Sequence, residues 1–297
     1  MDADPIATGS PDFVTEALNR LASKRRPTIL YHYTSPAGLL GILAGKAIWA
    51  TDILHLNDFR ELVYTIDLAK LVVAEDPRRA GAHGHLRYVF EECDNVLTLF
   101  PRFRVYVCSF SEDGDLLSQW RAYCPPEGGF AVGIDSATLE EATDALLLPC
   151  NYDVKEQKRI IREGLDLLLT SYPNLLEPND DLYTYKRIGA AFFQYILTCA
   201  SSFKDPSFHE EKEWRLVLTS SRPRPSTLSF RVGRGGIVPY VELSLHSSPD
   251  ARFQELIVGP NRHADLAVKA VRLMLNAQQA STAADRVRAS RVPYRAW

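Results

Sequence analysis

Two carboxylates and an arginine alternate with other residues in the segment SFHEEKEWRLVL, residues 207–218. Read as a strand, this segment places Glu211, Glu213 and Arg215 on one face and apolar side chains on the other. Such an acidic pair either lies in water beside the arginine or lines a cleft. In a cleft, a carboxylate can orient a sugar hydroxyl or stabilise a cationic transition state. The segment therefore predicts either a half-solvated strand face or a site for sugar chemistry.

A second polar pair lies in the predicted strand 29–34, ILYHYT. His32 and Thr34 share one face of that strand, and Ser35-Pro36 then begins a predicted helix. An imidazole, a hydroxyl and the free N–H groups of a helix N-terminus suit a small polar or phosphorylated ligand. The alternative is a packed core histidine that is hydrogen-bonded to a backbone carbonyl.

A third group of candidate residues lies in YVCSFSEDGDLLSQWRAY, residues 106–123. Aromatic rings beside an arginine can stack a flat ring and hold a phosphate. The alternative is that Trp120 fills the core while Arg121 pairs with an acid such as Asp115. The candidates in this segment are Ser109, Ser111, Trp120, Arg121 and Tyr123.

Composition narrows the class of protein. The 297 residues are 46% hydrophobic and 24% charged with a net charge of −3, which is ordinary for a soluble globular protein and gives no nucleic-acid or membrane signature. The five cysteines are widely spaced and lack a CxxC pair, so we expect no disulfide framework, no metal and a reduced, cytoplasmic interior. We also expect no membrane span and no signal peptide, although a toxin exported by a specialised route would look the same.

Motifs of other chemistries are missing from the sequence. HExxH, GxSxG and a P-loop do not occur. Cys108 and Cys124 are nucleophile candidates, but the sequence assigns neither of them a histidine neighbour. The carboxylates, the histidine and the aromatic segment therefore remain the main candidates for a site.

The elements that must position these residues follow from periodicity and breakers. A helical middle between strand-rich ends predicts one α+β domain over 29–297, preceded by a leader and short helix over 1–28. The predicted strands are 29–34, 46–51, 103–111, 130–135, 147–153, 213–220, 227–232, 237–245, 253–259 and 286–291. The predicted helices are 12–23, 37–45, 56–76, 83–99, 136–146, 154–171, 181–203 and 264–278, with a short helical or irregular piece at 116–123.

Several segments, taken in order, resemble the DUF2971 family of bacterial proteins: LYHYTS, CSFSE, LLSQWRAY, HEEKEWRL, ELIVGP and RVPYR. The resemblance covers about residues 29–295, and LSQWRAY and EKEWRL are its most specific parts. That family resembles in turn a divergent branch of the ADP-ribosyltransferase superfamily, whose members use NAD+. The resemblance implies an ADP-ribosyltransferase-like α+β fold with a split, mostly antiparallel sheet and a helical insert at about 136–204.

The same resemblance implies roles for the candidate residues. His32, with Thr34 beside it, would hold a ribose of NAD+. Glu213 would stabilise the cationic ribose at its 2′-hydroxyl. Glu211 beside it would raise the proton affinity of one acid of the pair, which helps if that acid takes a proton from the acceptor. The second motif element stays open between the Ser109–Ser111 strand and the segment from Trp120 to Tyr123. The nicotinamide ring would stack on Tyr33, Trp120 or Tyr123, and the pyrophosphate would bind Arg121 or Arg215.

The function that the resemblance implies is ADP-ribosyl transfer from NAD+, the co-substrate, to a protein or nucleic-acid acceptor. A role as a toxin or phage-defence effector with a cognate antitoxin or immunity partner follows by family analogy. One alternative is an NAD+ glycohydrolase. Another is a catalytically inactive module of the same fold that binds a nucleotide or nucleic acid. Four arginines would then serve the phosphate backbone: Arg222, Arg224, Arg231 and Arg234.

Overall fold

The computed structural model describes residues 21, 25–56, 60–98, 104–125, 128–141, 145–171, 182–220, 228–233, 236–245 and 253–294. These residues form a mixed α/β structure in which helices cover both faces of a ten-stranded sheet. The predicted helix 12–23 lies outside the described residues, apart from Leu21. No helix in the described ranges is long and apolar enough to cross a membrane.

The boundaries of most elements agree with the periodicity of the sequence to within a few residues. The strands are β1 Ile29–Thr34, β2 Ala47–Asp52, β3 Arg104–Ser111, β4 Phe130–Asp135, β5 Leu146–Pro149, β6 Glu213–Ser220, β7 Leu228–Gly233, β8 Gly236–Ser244, β9 Phe253–Val258 and β10 Val287–Ala289. The helices are α1 Pro36–Gly45, α2 Arg60–Ala74, α3 Pro77–Ala80, α4 Gly84–Thr98, α5 Leu117–Tyr123, α6 Ser136–Glu141, α7 Val154–Ser171, α8 Leu182–Ser202, α9 Ala264–Ala277 and α10 Ser281–Asp285.

The sheet branches at β3. The main strand order is β10-β9-β4-β1-β3-β2-β8-β7, and every described pair is antiparallel except β9 with β10. One edge of β3 pairs with β1 at Tyr31↔Ser111 and with β2 at Thr51↔Val107. The other edge pairs with β6 over its whole length. β1 and β2 therefore diverge along one edge of β3 and leave a wedge between two branches of the sheet.

Side-chain alternation on β3 and β6 separates two cores. Val107 and Val217 face a core formed with α2, α4, α7 and α8. Trp214 and Leu216 face the opposite core, which includes α1, α6, α9 and α10. The predicted apolar face of β6 is thus confirmed, and its other face is buried too, because helices cover it.

The segment predicted as a helical insert contributes to the sheet as well. α7 and α8 share their core with α2 and α4, which come from the earlier segment 60–98. Between α6 and α7, β5 pairs antiparallel with β6. The helical layer is therefore assembled from two separate parts of the chain.

The interpretation of 207–218 as one continuous strand is wrong in its first half, whereas the predicted strand 213–220 is confirmed. Pro206–Glu211 forms a 3-10 helix, and Lys212 then adopts the left-handed conformation with φ 42° and ψ 51°. Asp205 caps this turn by accepting a hydrogen bond of 2.9 Å from the amide of Ser207, and proline suits the first helical position. Glu211 consequently ends a turn and does not share a strand face with Glu213.

Candidate functional site

A cleft of about 860 Å³ opens at the wedge between the two branches of the sheet. Its volume falls within the range of about 300–1,000 Å³ that is common for small-molecule sites. A cavity of about 50 Å³ adjoins the cleft and extends toward Tyr31, His32 and Tyr33. The residues shared by the two spaces are Ser109, Tyr123, Glu211 and Glu213.

Four charged side chains form a buried network at the base of the cleft. Arg215 donates from Nε to Glu213 Oε1 at 2.7 Å and from Nη2 to Glu61 Oε2 at 2.6 Å. Lys204 Nζ donates to Glu213 Oε2 and lies 3.5 Å from Glu61 Oε1. Glu213 and Arg215 are only 5% and 2% exposed. The half-solvated strand face is therefore the wrong interpretation of this pair.

The positive charges of Arg215 and Lys204 keep Glu213 ionised. Burial alone would raise the pKa of this carboxyl group, but the charges and hydrogen bonds of Arg215 and Lys204 outweigh burial and hold its pKa at about 2. Burial would likewise lower the pKa of Lys204, and the surrounding carboxylates raise it instead. Glu213 is consequently a permanent anion at neutral pH, beside a permanent cation.

Glu211 differs from Glu213 in its environment. It approaches Lys204 from the 3-10 turn, its Oε2 accepts a hydrogen bond from Lys204 Nζ, and its side chain is 12% exposed. Burial raises the pKa of Glu211 despite the opposing charge of Lys204. The pKa values of the two acids are therefore shifted in opposite directions, with that of Glu213 lowered and that of Glu211 raised.

His32 lies where β1 leaves β3. Its Nδ1 is 2.9 Å from the carbonyl oxygen of Ser109, which lies on β3 between the residues that pair with β2 and with β1. Because a carbonyl only accepts, Nδ1 carries the proton, and the neutral ring presents Nε2 as an acceptor. Burial lowers the pKa of His32, and the charge of Arg231 lowers it further. The backbone-bonded histidine predicted from the sequence and a ligand-facing histidine are therefore compatible.

Two of the residues predicted to stack on the nicotinamide ring, Trp120 and Tyr33, are packed in the core instead. Trp120 is 2% exposed, packs edge-on against Tyr33 at 4.7 Å and donates from Nε1 to Asp115 at 2.9 Å. The Tyr33 hydroxyl donates to the carbonyl of Asp113 and accepts from the amide of Leu116. Trp120 cannot stack a ligand, and Tyr33 reaches only the small cavity.

The remaining aromatic and polar candidates differ in whether they line the cleft. Tyr123 is half-buried and lines the cleft, and burial raises its pKa to about 12. Ser109 lines the cleft as well. Thr34 lies before α1, where its Oγ1 is close to Gly38. Of the candidate rings, Tyr123 is the one whose position suits a stack inside the cleft.

The predicted pyrophosphate ligands are poorly placed for that role. Arg121 is exposed and stacks on Tyr294, with its Cζ 5.2 Å from the ring centroid. Its predicted partner Asp115 instead binds Ser290, the amide of Arg291 and Trp120.

The guanidinium of Arg215 already donates hydrogen bonds to Glu61, Glu213 and the carbonyl oxygen of Ser201.

The sequence analysis did not identify two charged residues of the site, Lys204 and Glu61. Lys204 lies two residues after the end of α8, and Glu61 lies in the first turn of α2. Neither residue stands in a motif, so no local signal marks it. In the described part of the chain, no group of three or more His, Cys, Asp or Glu side chains is arranged to hold a metal ion.

Cys108 has the histidine neighbour that the sequence could not assign, with Sγ 3.7 Å from His32 Nδ1. That nitrogen donates to Ser109, however, and burial raises the pKa of Cys108 to about 12. The thiol is therefore protonated and inert at neutral pH.

We expect iodoacetamide at about pH 8 to leave Cys108 unmodified in the native protein and to alkylate it after unfolding in urea. Peptide mass spectrometry measures the modified fraction, and the unfolded sample serves as the control for reagent activity. Rapid alkylation of native Cys108 would contradict this description of the thiol.

Comparison with known proteins supports the family resemblance over a part of the chain that contains some of the residues of this site. A family model described as protein of unknown function (DUF2971) matches residues 119–216, about a third of the chain. The matched stretch runs from α5 into β6 and contains Tyr123, Lys204, Glu211, Glu213 and Arg215. No curated protein and no solved structure matches the chain.

Proposed function

We propose that this protein cleaves the nicotinamide–ribose bond of NAD+ and transfers the ADP-ribosyl group to a protein or nucleic-acid acceptor. One observation carries the proposal: His32 of β1, Ser109 of β3 and the acids Glu211 and Glu213 line one small cavity, and all of them except His32 also line the adjoining cleft. These residues are far apart in the sequence. They are also the residues to which the family resemblance gives roles.

The proposed chemistry assigns a separate task to each polar group. When the glycosidic bond breaks, its electron pair leaves with nicotinamide and the ribose becomes an oxocarbenium-like cation. The fixed negative charge of Glu213 stabilises that cation. Glu211, whose pKa is raised by burial, accepts the proton of the attacking acceptor. His32 accepts a hydrogen bond from a ribose hydroxyl through Nε2.

The test is nicotinamide release from NAD+ by the purified protein, with and without cell lysate as a source of acceptor. We expect Glu213→Gln to lower the rate by about 100-fold or more, since the isostere removes the charge that faces the cation. Because Glu213 is buried and paired, Glu211→Gln is measured as well, and a thermal melt verifies that each variant is folded. Glu210→Gln, at an exposed position in the same turn, is the matched control and should keep the wild-type rate.

This assay distinguishes ADP-ribosyl transfer from hydrolysis of NAD+. Release that depends on lysate indicates transfer to a macromolecule, while release without lysate indicates hydrolysis of NAD+. If wild type releases no nicotinamide under either condition, or if both acid variants retain full activity, the proposed catalysis is wrong. Under the same proposal, and by family analogy alone, the protein acts as a toxin or phage-defence effector and has a cognate immunity partner.

A binding module is the second candidate, and one observation favours it. Both oxygens of Glu213 already accept hydrogen bonds from Arg215 or Lys204, which weakens the field that this carboxylate can exert on a ribose cation. The module would bind NAD+ or a nucleic-acid end without cleaving it. Binding without nicotinamide release supports this candidate, and a steep loss of binding with salt points to a nucleic-acid ligand.

A further inference from the structure

Arg231 occupies the rim of the cleft on the β7 side. It is exposed, and its guanidinium is nevertheless held in place from two sides. Nη2 donates to Thr51 Oγ1 at 2.9 Å, and Cζ lies 5.9 Å from the centroid of the Trp49 ring. Thr51 is itself paired with Val107 of β3 and Tyr240 of β8. The arginine head is therefore anchored to the sheet at the branch point.

The charge of Arg231 is not neutralised as the other cleft charges are. Lys204 and Arg215 each contact two or more carboxylate groups. In the ranges that the structure describes, Arg231 has no carboxylate within ion-pair distance. A cation that is ordered, exposed and unpaired at the mouth of a cleft is suited to an anionic ligand.

We infer that Arg231 is the residue that binds the phosphate groups of the nucleotide in this cleft. The hydrogen bond to Thr51 uses one of the five guanidinium donors, so the planar fork can still bind phosphate oxygens in a bidentate manner. Arg231 thereby takes the role that the sequence suggested for Arg121 or Arg215. This inference rests on the proposed function, because the proposed function is what identifies the ligand as a dinucleotide.

The arrangement also orients the ligand. Arg231 belongs to the β2-β8-β7 branch, whereas Glu211 and Glu213 lie beyond β3 on its other side. Phosphate bound by Arg231 would leave the nicotinamide ribose to reach the acids and His32 across the wedge. At the base of the cleft the three carboxylates Glu61, Glu211 and Glu213 outnumber the two cations Lys204 and Arg215, and this excess of negative charge opposes the reverse orientation of the pyrophosphate.

Calorimetric titration tests the inference with ADP-ribose, inorganic pyrophosphate and nicotinamide riboside as probes. We expect Arg231→Gln to weaken binding of ADP-ribose and pyrophosphate by about tenfold or more, and to change nicotinamide riboside binding by less than about twofold. Arg231→Lys keeps the charge without the fork and should recover part of the lost affinity. Arg87→Gln removes an exposed guanidinium on α4 that is not among the residues lining the cleft, and it is the control.

Two results would overturn the inference: unchanged ADP-ribose affinity in folded Arg231→Gln, or no binding of ADP-ribose or pyrophosphate by the wild-type protein. Its failure is distinguishable from failure of the proposed function. Arg231-dependent binding without nicotinamide release sustains the phosphate site and removes the enzyme. Nicotinamide release that is indifferent to Arg231→Gln sustains the enzyme and removes the phosphate site.

Discussion

Replacing Arg215 with methionine should destabilise the protein by about 3–5 kcal/mol, because breaking one side of a buried ion pair leaves uncompensated charges in the interior. Glu213 would lose its bidentate partner, Glu61 would lose one hydrogen bond, and Lys204 alone would remain to balance their charges. Methionine fills a similar volume, so the loss reports charge more than packing. Equilibrium unfolding in urea measures the change as a shift in the transition midpoint.

A surface arginine provides the control for this measurement. Arg159 on α7 also bridges two carboxylates, Glu156 and Glu163, but its side chain is 56% exposed. Water screens such pairs, so Arg159→Met should move the midpoint far less than Arg215→Met does. Equal shifts for the two variants would mean that the buried network does not hold the base of the cleft together.

Stability should fall steeply as the pH drops from about 4.5 toward 2, since Glu213 has a pKa of about 2 in the folded protein against an ordinary value of 4.5. A carboxyl group whose pKa is depressed by folding contributes its full stabilisation above the unfolded value and loses it as acid protonates the native state. The contribution of this one group is about 3 kcal/mol. Urea midpoints measured at a series of pH values across this interval test the prediction.

The variants that separate Glu213 from other acids lie in the same segment. Glu213→Gln should be less stable near neutral pH and should show a shallower decline toward pH 2, because the group that links folding to protons is gone. Glu210→Gln, at an exposed position, should retain the wild-type slope. A wild-type stability that is flat across this interval would contradict the depressed pKa.

The sequence predicted the elements well where periodicity and caps are local signals. Ser35 caps α1 by accepting from the amide of Gly38 at 3.1 Å, with Pro36 at the first helical position, as the Ser-Pro pair indicated. The turn at 206–211 carries the same kind of signal in Asp205-Pro206. The interpretation of 207–218 as one strand neglects that signal, whereas the predicted strand 213–220 begins where the structure has it, at Glu213.

The site was predictable in its residue types and not in its partners. Local patterns indicate five residues that line the small cavity beside the cleft: His32, Ser109, Tyr123, Glu211 and Glu213. Lys204 and Glu61 decide which acid is fixed and which can be protonated, and they reach the site only through packing of α8 and α2. Trp120 illustrates the converse, because an aromatic ring beside an arginine has the same local sequence whether it is exposed or buried.

The strand β3 has a mechanical consequence for ligand binding. Both branches of the sheet pair with the same edge of β3. The other edge of β3 pairs residue by residue with β6, from Arg104↔Ser220 to Ser111↔Glu213. Widening or narrowing the wedge would require β3 to bend against that ladder, which β5 reinforces from beyond β6. The described walls of the cleft should therefore keep their shape when a ligand enters. Association then carries little cost of ordering the backbone, so affinity depends on the contacts themselves.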